Sequence, residues 1–262
     1  MNVYAYQLDI VWEDKEANFQ KVLDWTSRTE PQSGSLLVLP ELYATGFSMN
    51  GQSLQEPEDG LTESFLKKLA RDTSCYVLAG LALARPGGKP TNDALLINPE
   101  GIRVGQYSKI QPFNMGKEGE NYEAGNDVQC FELSGGLRLS PFICYDLRFP
   151  ELFRKAIMAD TPPHVFTVIA SWPNMRTHHW VKLLEARAIE NLAYVIGVNR
   201  CGSDPFLEYD GASLIIDPQG NHLTKAGSKE TVISATLEIN VVQDWRDDFP
   251  ALKDSKPKWW AP

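Results

Sequence analysis

The chain has 262 residues, 43% hydrophobic and 23% charged, with a formal net charge of −9. Those values suit a folded globular chain with a sizeable core and exclude the basic balance of a nucleic-acid binder. No apolar run is long enough to span a bilayer, residues 1–9 lack a basic leader, and Cys75, Cys130, Cys144 and Cys201 show neither metal-type spacing nor a small disulfide framework. The expectation is a cytoplasmic protein with reduced thiols, no membrane and no nucleic acid among its partners.

Residues 3–10 read as a buried strand. Glu13-Asp14-Lys15-Glu16-Ala17-Asn18 opens a helix whose acidic start suits the helix dipole, with Phe19, Val22, Leu23 and further on Trp25 and Thr26 toward the core. Leu36-Leu37-Val38-Leu39 is an unbroken apolar run, the mark of a strand buried on both faces. Pro40 ends it and leaves Glu41 just past the tip, where α/β proteins tend to build sites; a helix cap or a loop is the other use for that carboxylate. In Tyr43-Ala44-Thr45-Gly46-Phe47 the aromatics line a pocket or serve loop packing. Residues 62–72 form a helix with Phe65, Leu66, Leu69 and Ala70 as core, and 76–83 form another buried strand. Residues 92–97 and 102–107 make a hairpin about the turn Asn98-Pro99-Glu100-Gly101. Lys109 leaves this hairpin beside apolar neighbours, although a lysine taken at random is a solvated charge. Residues 116–125 are a polar, glycine-rich loop with Glu118, Glu120 and Glu123, solvated by default.

Pro141-Phe142-Ile143-Cys144-Tyr145-Asp146 sets a cysteine at the end of a short apolar run, before a helix over 150–159. A lone buried cysteine is more often structural. At a strand-to-helix turn it is held on rigid scaffold, and a helix N-terminus is expected to favour its thiolate. A strand over 165–172 is stopped by Pro173; a helix over 178–191 and a strand over 194–199 follow. Residues 212–216, the turn Asp217-Pro218-Gln219-Gly220 and residues 233–237 read as a second hairpin. Helix, strand and hairpin thus recur, which predicts an internal duplication with two similar sheets face to face and helices outside. His178 and His179 are adjacent, so on a helix they face different directions, and no metal is expected. The Trp259-Trp260 pair is expected to dock on a neighbouring subunit or domain.

Glu41, Lys109 and Cys144 are three strand-end groups that ask for one explanation. The pieces Leu39-Pro40-Glu41-Leu42 with Thr45-Gly46-Phe47, Tyr107-Ser108-Lys109-Ile110, Ile143-Cys144-Tyr145-Asp146-Leu147-Arg148-Phe149-Pro150-Glu151 and Glu185-Ala186-Arg187-Ala188-Ile189-Glu190-Asn191 stand in the family's order. By them the chain resembles the nitrilase (carbon–nitrogen hydrolase) superfamily from residue 3 to about 250. The resemblance implies one α/β domain over 1–262, a four-layer α-β-β-α sandwich, with the tail from about 245 at an interface. It implies a homodimer or larger homo-oligomer, and no cofactor.

The resemblance also implies a Glu-Lys-Cys triad acting through a cysteinyl thioester: Cys144 as nucleophile, Glu41 as base and acid, Lys109 and the backbone N–H of Tyr145 as holders of the oxyanion. Many family members place a second glutamate beside the lysine; spacing back from Gly125 favours Glu118, with Glu120 the alternative. The run Cys144 to Pro150 and Phe113-Asn114-Met115 look most like the ω-amidase branch, which implies a small α-keto dicarboxylic monoamide such as α-ketoglutaramate as substrate. Such a molecule carries a carboxylate, for which Arg176 is the candidate cation, with Trp172 and Phe47 as pocket walls; Arg148 is read as an anchor of the turn after Cys144. The alternatives are an N-carbamoyl amine hydrolase of the same superfamily and a catalytically inactive binding relative.

Overall fold

Leu36, Leu37, Val38 and Leu39 expose no surface, as an uninterrupted apolar run in a strand requires. Leu36 and Val38 face one apolar cluster while Leu37 and Leu39 face another, the period-two alternation of a sheet covered on both sides. In the computed structural model, which describes residues 1–256, the chain runs β1 (Asn2–Gln7), α1 (Lys15–Thr29), β2 (Leu36–Val38), α2 (Gly51–Leu54), α3 (Leu61–Thr73), β3 (Tyr76–Leu83), β4 (Thr91–Ile97), β5 (Arg103–Ser108), α4 (Glu118–Asn121), β6 (Phe131–Glu132), β7 (Arg138–Ile143), α5 (Pro150–Ile157), β8 (Val165–Ala170), α6 (Thr177–Asn191), β9 (Tyr194–Asn199), β10 (Cys201–Ser203), β11 (Glu208–Asp210), β12 (Leu214–Ile216), β13 (His222–Lys225), β14 (Thr231–Thr236) and α7 (Ile239–Asp248). The Trp259-Trp260 pair lies outside the described residues.

Two six-stranded mixed sheets carry the fold, in the orders β14-β1-β2-β3-β4-β5 and β6-β7-β8-β9-β12-β13. Neighbours along both read antiparallel, parallel, parallel, antiparallel, antiparallel. The internal pseudo-repeat expected from the two hairpins therefore extends over whole sheets, including the early strands where the sequence offset is irregular. One core cluster draws on the inner faces of both sheets: Val3, Val38, Leu96 and Tyr107 from the first, Leu139, Ile169, Ile196 and Ile215 from the second. Helices α1 and α3 cover the outside of the first sheet through Phe19, Val22, Leu66 and Leu69. Helices α5 and α6 cover the second through Phe153, Trp180 and Leu184, which completes the α-β-β-α sandwich.

Two expectations need correction. Residues 233–237 are not the return strand of the second hairpin. That strand is β13, which pairs with β12 across the turn, whereas β14 crosses to the first sheet and pairs antiparallel with β1. The sequence of β13 is polar and largely exposed, so it carries no apolar signal. On α1, Leu23 is exposed and Asn18 is buried instead. The Asn18 amide donates to Val11 O at 2.7 Å and Ala44 O at 2.8 Å, tying the helix to the loop after Glu41. Among the described residues all four cysteines are free, and no helix is long and apolar enough to cross a membrane.

Candidate active site

The strands β2, β5, β7 and β8 end at the seam between the sheets. Each delivers one part of a buried cluster. Glu41 follows β2 in a turn in which Leu42 takes a left-handed φ of 45°. Gly80 on β3 makes that turn possible: a Cβ there would lie 2.6 Å from Leu42 N and 2.7 Å from the Glu41 Cα. Lys109 follows β5, its N–H donating to Asn92 O at 2.9 Å and its carbonyl accepting from Gly125 N at 2.7 Å. Cys144 follows β7 with a φ of 48°. A side chain in this left-handed region is strained, and here the strain sits on a buried thiol at a sharp turn.

Glu41, Lys109 and Glu118 expose 0%, 2% and 1% of their surface, so their charges must be satisfied internally. Lys109 Nζ donates to Glu41 Oε1 at 2.9 Å and to Glu118 Oε2 at 2.8 Å. The Asn92 amide spans the same two carboxylates, donating to Glu41 Oε1 at 2.7 Å and Glu118 Oε1 at 2.9 Å. Glu41 Oε2 accepts from Ser171 N at 2.8 Å, and Glu118 Oε2 from Phe113 N at 2.6 Å. The ammonium also lies 5.3 Å from the Phe47 ring centre. Glu118, not Glu120, is thus the glutamate beside the lysine, while Glu120 is exposed. The default reading of this loop as solvated fails because α4 turns Glu118 inward.

Burial alone would push the Lys109 amine down. The carboxylates of Glu118 and Glu41 outweigh it and hold the ammonium well above its ordinary range. At Cys144, burial and then the Glu41 carboxylate drive the thiol well above its ordinary value, against the opposing pull of Lys109. This corrects the expectation of a thiol lowered by a helix N-terminus. The residues from Cys144 to Arg148 form a tight 3-10 turn, and α5 begins only at Pro150. A thiol raised in this way becomes a nucleophile only where a neighbouring base takes its proton.

Cys144 opens into a narrow pocket walled by Phe47, Phe113, Tyr145, Trp172 and Leu207. Arg176 lines it, and so does Arg148, whose place in the sequence suggests only an anchor for the turn after Cys144. The Arg148 guanidinium stands 4.7 Å over the Trp172 ring, and that of Arg176 stands 5.6 Å over Phe113. Burial and the neighbouring Arg176 charge lower Arg148 from its ordinary value. Among the described residues no carboxylate forms an ion pair with either. Trp172 is buried and pinned, its indole N–H donating to Arg176 O at 2.8 Å and its backbone N–H to Asn199 Oδ1 at 2.7 Å. The Ser171 hydroxyl, on the pocket wall, has no partner among the described residues. A wider cleft of about 590 Å³ shares Phe47, Phe113, Arg176 and Leu207 with the pocket. Among the described residues no cluster of His, Cys, Asp or Glu is arranged to hold a metal.

The Cys144 thiol thus lies close enough to the Glu41 carboxylate and the Lys109 ammonium to feel both charges, at the seam of two sheets. Residues 2–247 match the carbon–nitrogen hydrolase family, and the chain belongs to it: it is an amide-cleaving hydrolase of the nitrilase superfamily. It is 34% identical to the 2-oxoglutaramate amidase of Bacillus subtilis over 96% of each chain. It is 35% identical to the omega-amidase YafV of Escherichia coli, over 97% of this chain and 96% of that one. The fold is similar to that of XC1258 from Xanthomonas campestris, described as a CN-hydrolase superfamily protein with an arsenic adduct in the active site, with a TM-score of 0.91 at 31% identity over 98% of this chain and 97% of that one.

Proposed function

We propose that the enzyme releases ammonia from the ω-amide of a small α-keto dicarboxylic monoamide, a molecule like α-ketoglutaramate, in the cytoplasm. One observation carries the substrate class: two unneutralised guanidiniums, Arg148 and Arg176, in the same small pocket as Cys144. Two like charges held together are relieved by an anion, and a guanidinium fork suits a carboxylate. The apolar walls suit the short carbon chain between carboxylate and amide. Two relatives bear names of this activity.

The chemistry follows from the charges. As Cys144 Sγ attacks the amide carbon, its proton passes to Glu41, the neighbouring base. The carbonyl oxygen becomes an oxyanion, held by the Lys109 ammonium and the Tyr145 N–H. Collapse breaks the C–N bond, and Glu41 returns the proton to the nitrogen, which leaves as ammonia. Water then attacks the thioester, giving a proton to Glu41; the C–S bond breaks and the thiol regains that proton. Glu118 and Asn92 keep Lys109 charged and aimed, and Ser171 N orients Glu41. The homo-oligomer implied by the resemblance belongs to this reading and is checked by sedimentation.

The test is a panel of short ω-amides with ammonia release as readout. α-Ketoglutaramate should be preferred to N-carbamoyl-β-alanine and to uncharged butyramide. Arg176→Ala and Arg148→Ala should each raise KM for the charged amide by roughly tenfold, a charge-assisted contact's worth, and leave butyramide little changed. Cys144→Ala should abolish turnover. An active Cys144→Ala enzyme removes the mechanism; equal preference for butyramide removes the substrate class.

A further inference from the structure

Lys109 and Cys144 stand at the ends of strands in different sheets, yet a tetrahedral intermediate on the sulfur must meet the ammonium within hydrogen-bond reach. One carboxylate joins the two segments. Asp146, with no exposed surface, accepts the Tyr107 hydroxyl on Oδ2 at 2.7 Å and Gln111 N on Oδ1 at 2.8 Å. Tyr107 lies two residues before Lys109 and Gln111 two residues after it. Asp146 Oδ2 also accepts Ile143 N, the residue before Cys144, at 3.0 Å. We propose that Asp146 is a positioning residue for amide hydrolysis: a strut that fixes where the Lys109 ammonium stands relative to the Cys144 sulfur. The inference rests on the triad reading above.

A residue serving only to cap the Cys144 turn would need the Ile143 bond alone. The two bonds that bracket Lys109 are additional to that task. The Tyr107 ring packs edge-on against Phe142 at 5.7 Å, so the phenol is held in one place. All three partners are donors, which makes the carboxylate hard to replace: an asparagine turns an N–H₂ toward a donor and leaves one bond unmade.

Two variants and two reactions separate the strut from a merely structural residue. Hydrolysis of the best amide in the panel needs both the thiol and the oxyanion holder. Alkylation of Cys144 by iodoacetamide needs the thiol and its base but forms no oxyanion. Tyr107→Phe removes one bond on the Lys109 side and keeps the turn intact. It should lower kcat by about tenfold with KM within about threefold, and alkylate within about twofold of wild type. Asp146→Asn, checked for folding by circular dichroism, should slow alkylation at least about tenfold and lower kcat by about a hundredfold or more. Hydrolysis and alkylation falling together in Tyr107→Phe, or neither falling, overturns the strut. So does an Asp146→Asn protein that alkylates at the wild-type rate. Because alkylation is read without any substrate, failure here is distinct from failure of the proposed substrate or mechanism.

Discussion

At the scale of single residues, the site is a chain of hydrogen bonds that ends on one ammonium, and its members are unequal. Glu118→Gln should lower kcat by about a hundredfold, since it removes one of two carboxylates holding Lys109 charged, whereas the exposed Glu120→Gln should leave it unchanged; steady-state kinetics of both checks this. Asp146 gives a pH signature. Chiefly through burial, its carboxyl is raised from 3.8 to about 6, so the folded protein holds this proton more tightly than the unfolded chain does. Its contribution to stability is full below pH 3.8 and is lost as pH rises through about 6. Relative to Asp146→Asn, wild type should therefore gain on the order of 3 kcal/mol as pH falls through that window. Turnover should fall over the same window, because the proton takes up a lone pair that the strut uses. Denaturant melts and kcat measured at matched pH check the opposite signs. Glu41, Lys109 and Cys144 stand out in the sequence as strand-end groups, but each alone has an ordinary structural use, and the family resemblance is what joins them. Asn92, Asp146 and the Ser171 amide do not stand out: an asparagine inside a hairpin strand, an aspartate after the cysteine and a backbone N–H look ordinary until the strands are side by side.

At the scale of elements, the turn after β2 depends on what β3 lacks. Gly80→Ala would push a methyl group into the backbone of Glu41 and Leu42, neither of which can yield as a flexible side chain can. The expected cost is about 1–3 kcal/mol of stability, the range for overpacking. Activity should fall by more than the lost folded fraction, because the displaced atom carries the base; a thermal melt beside an activity assay reads both. Most strands and helices were legible because their apolar periods are strong. The strand from Tyr194 to Asn199 falls where the sequence puts it. The polar edge strand β13 was not legible, and its absence from the reading let residues 233–237 be placed in the wrong sheet. Pairing of β14 with β1 is a contact between the two ends of the described chain, which no local pattern encodes.

At the scale of the molecule, the two sheets are interlocked. β14 leaves the second half of the sequence to complete the first sheet, and α7 then returns to the second half, where Arg246 donates to Leu192 O at 3.0 Å and Pro163 O at 2.7 Å. The first sheet thus takes an edge strand from chain that has already passed through the second, and one core cluster joins both, so urea should remove activity and the far-ultraviolet signal in one coincident transition. Two separate midpoints would show that the halves unfold independently. The left-handed backbone at Cys144 bears on the same stability. Glycine adopts that conformation freely, so Cys144→Gly should outlast Cys144→Ala on heating by about 1 kcal/mol, although both are inert. Endurance and turnover thus pull in opposite directions at a single position, and a lineage of this protein released from catalytic duty has a ready path to greater permanence through the loss of one side chain.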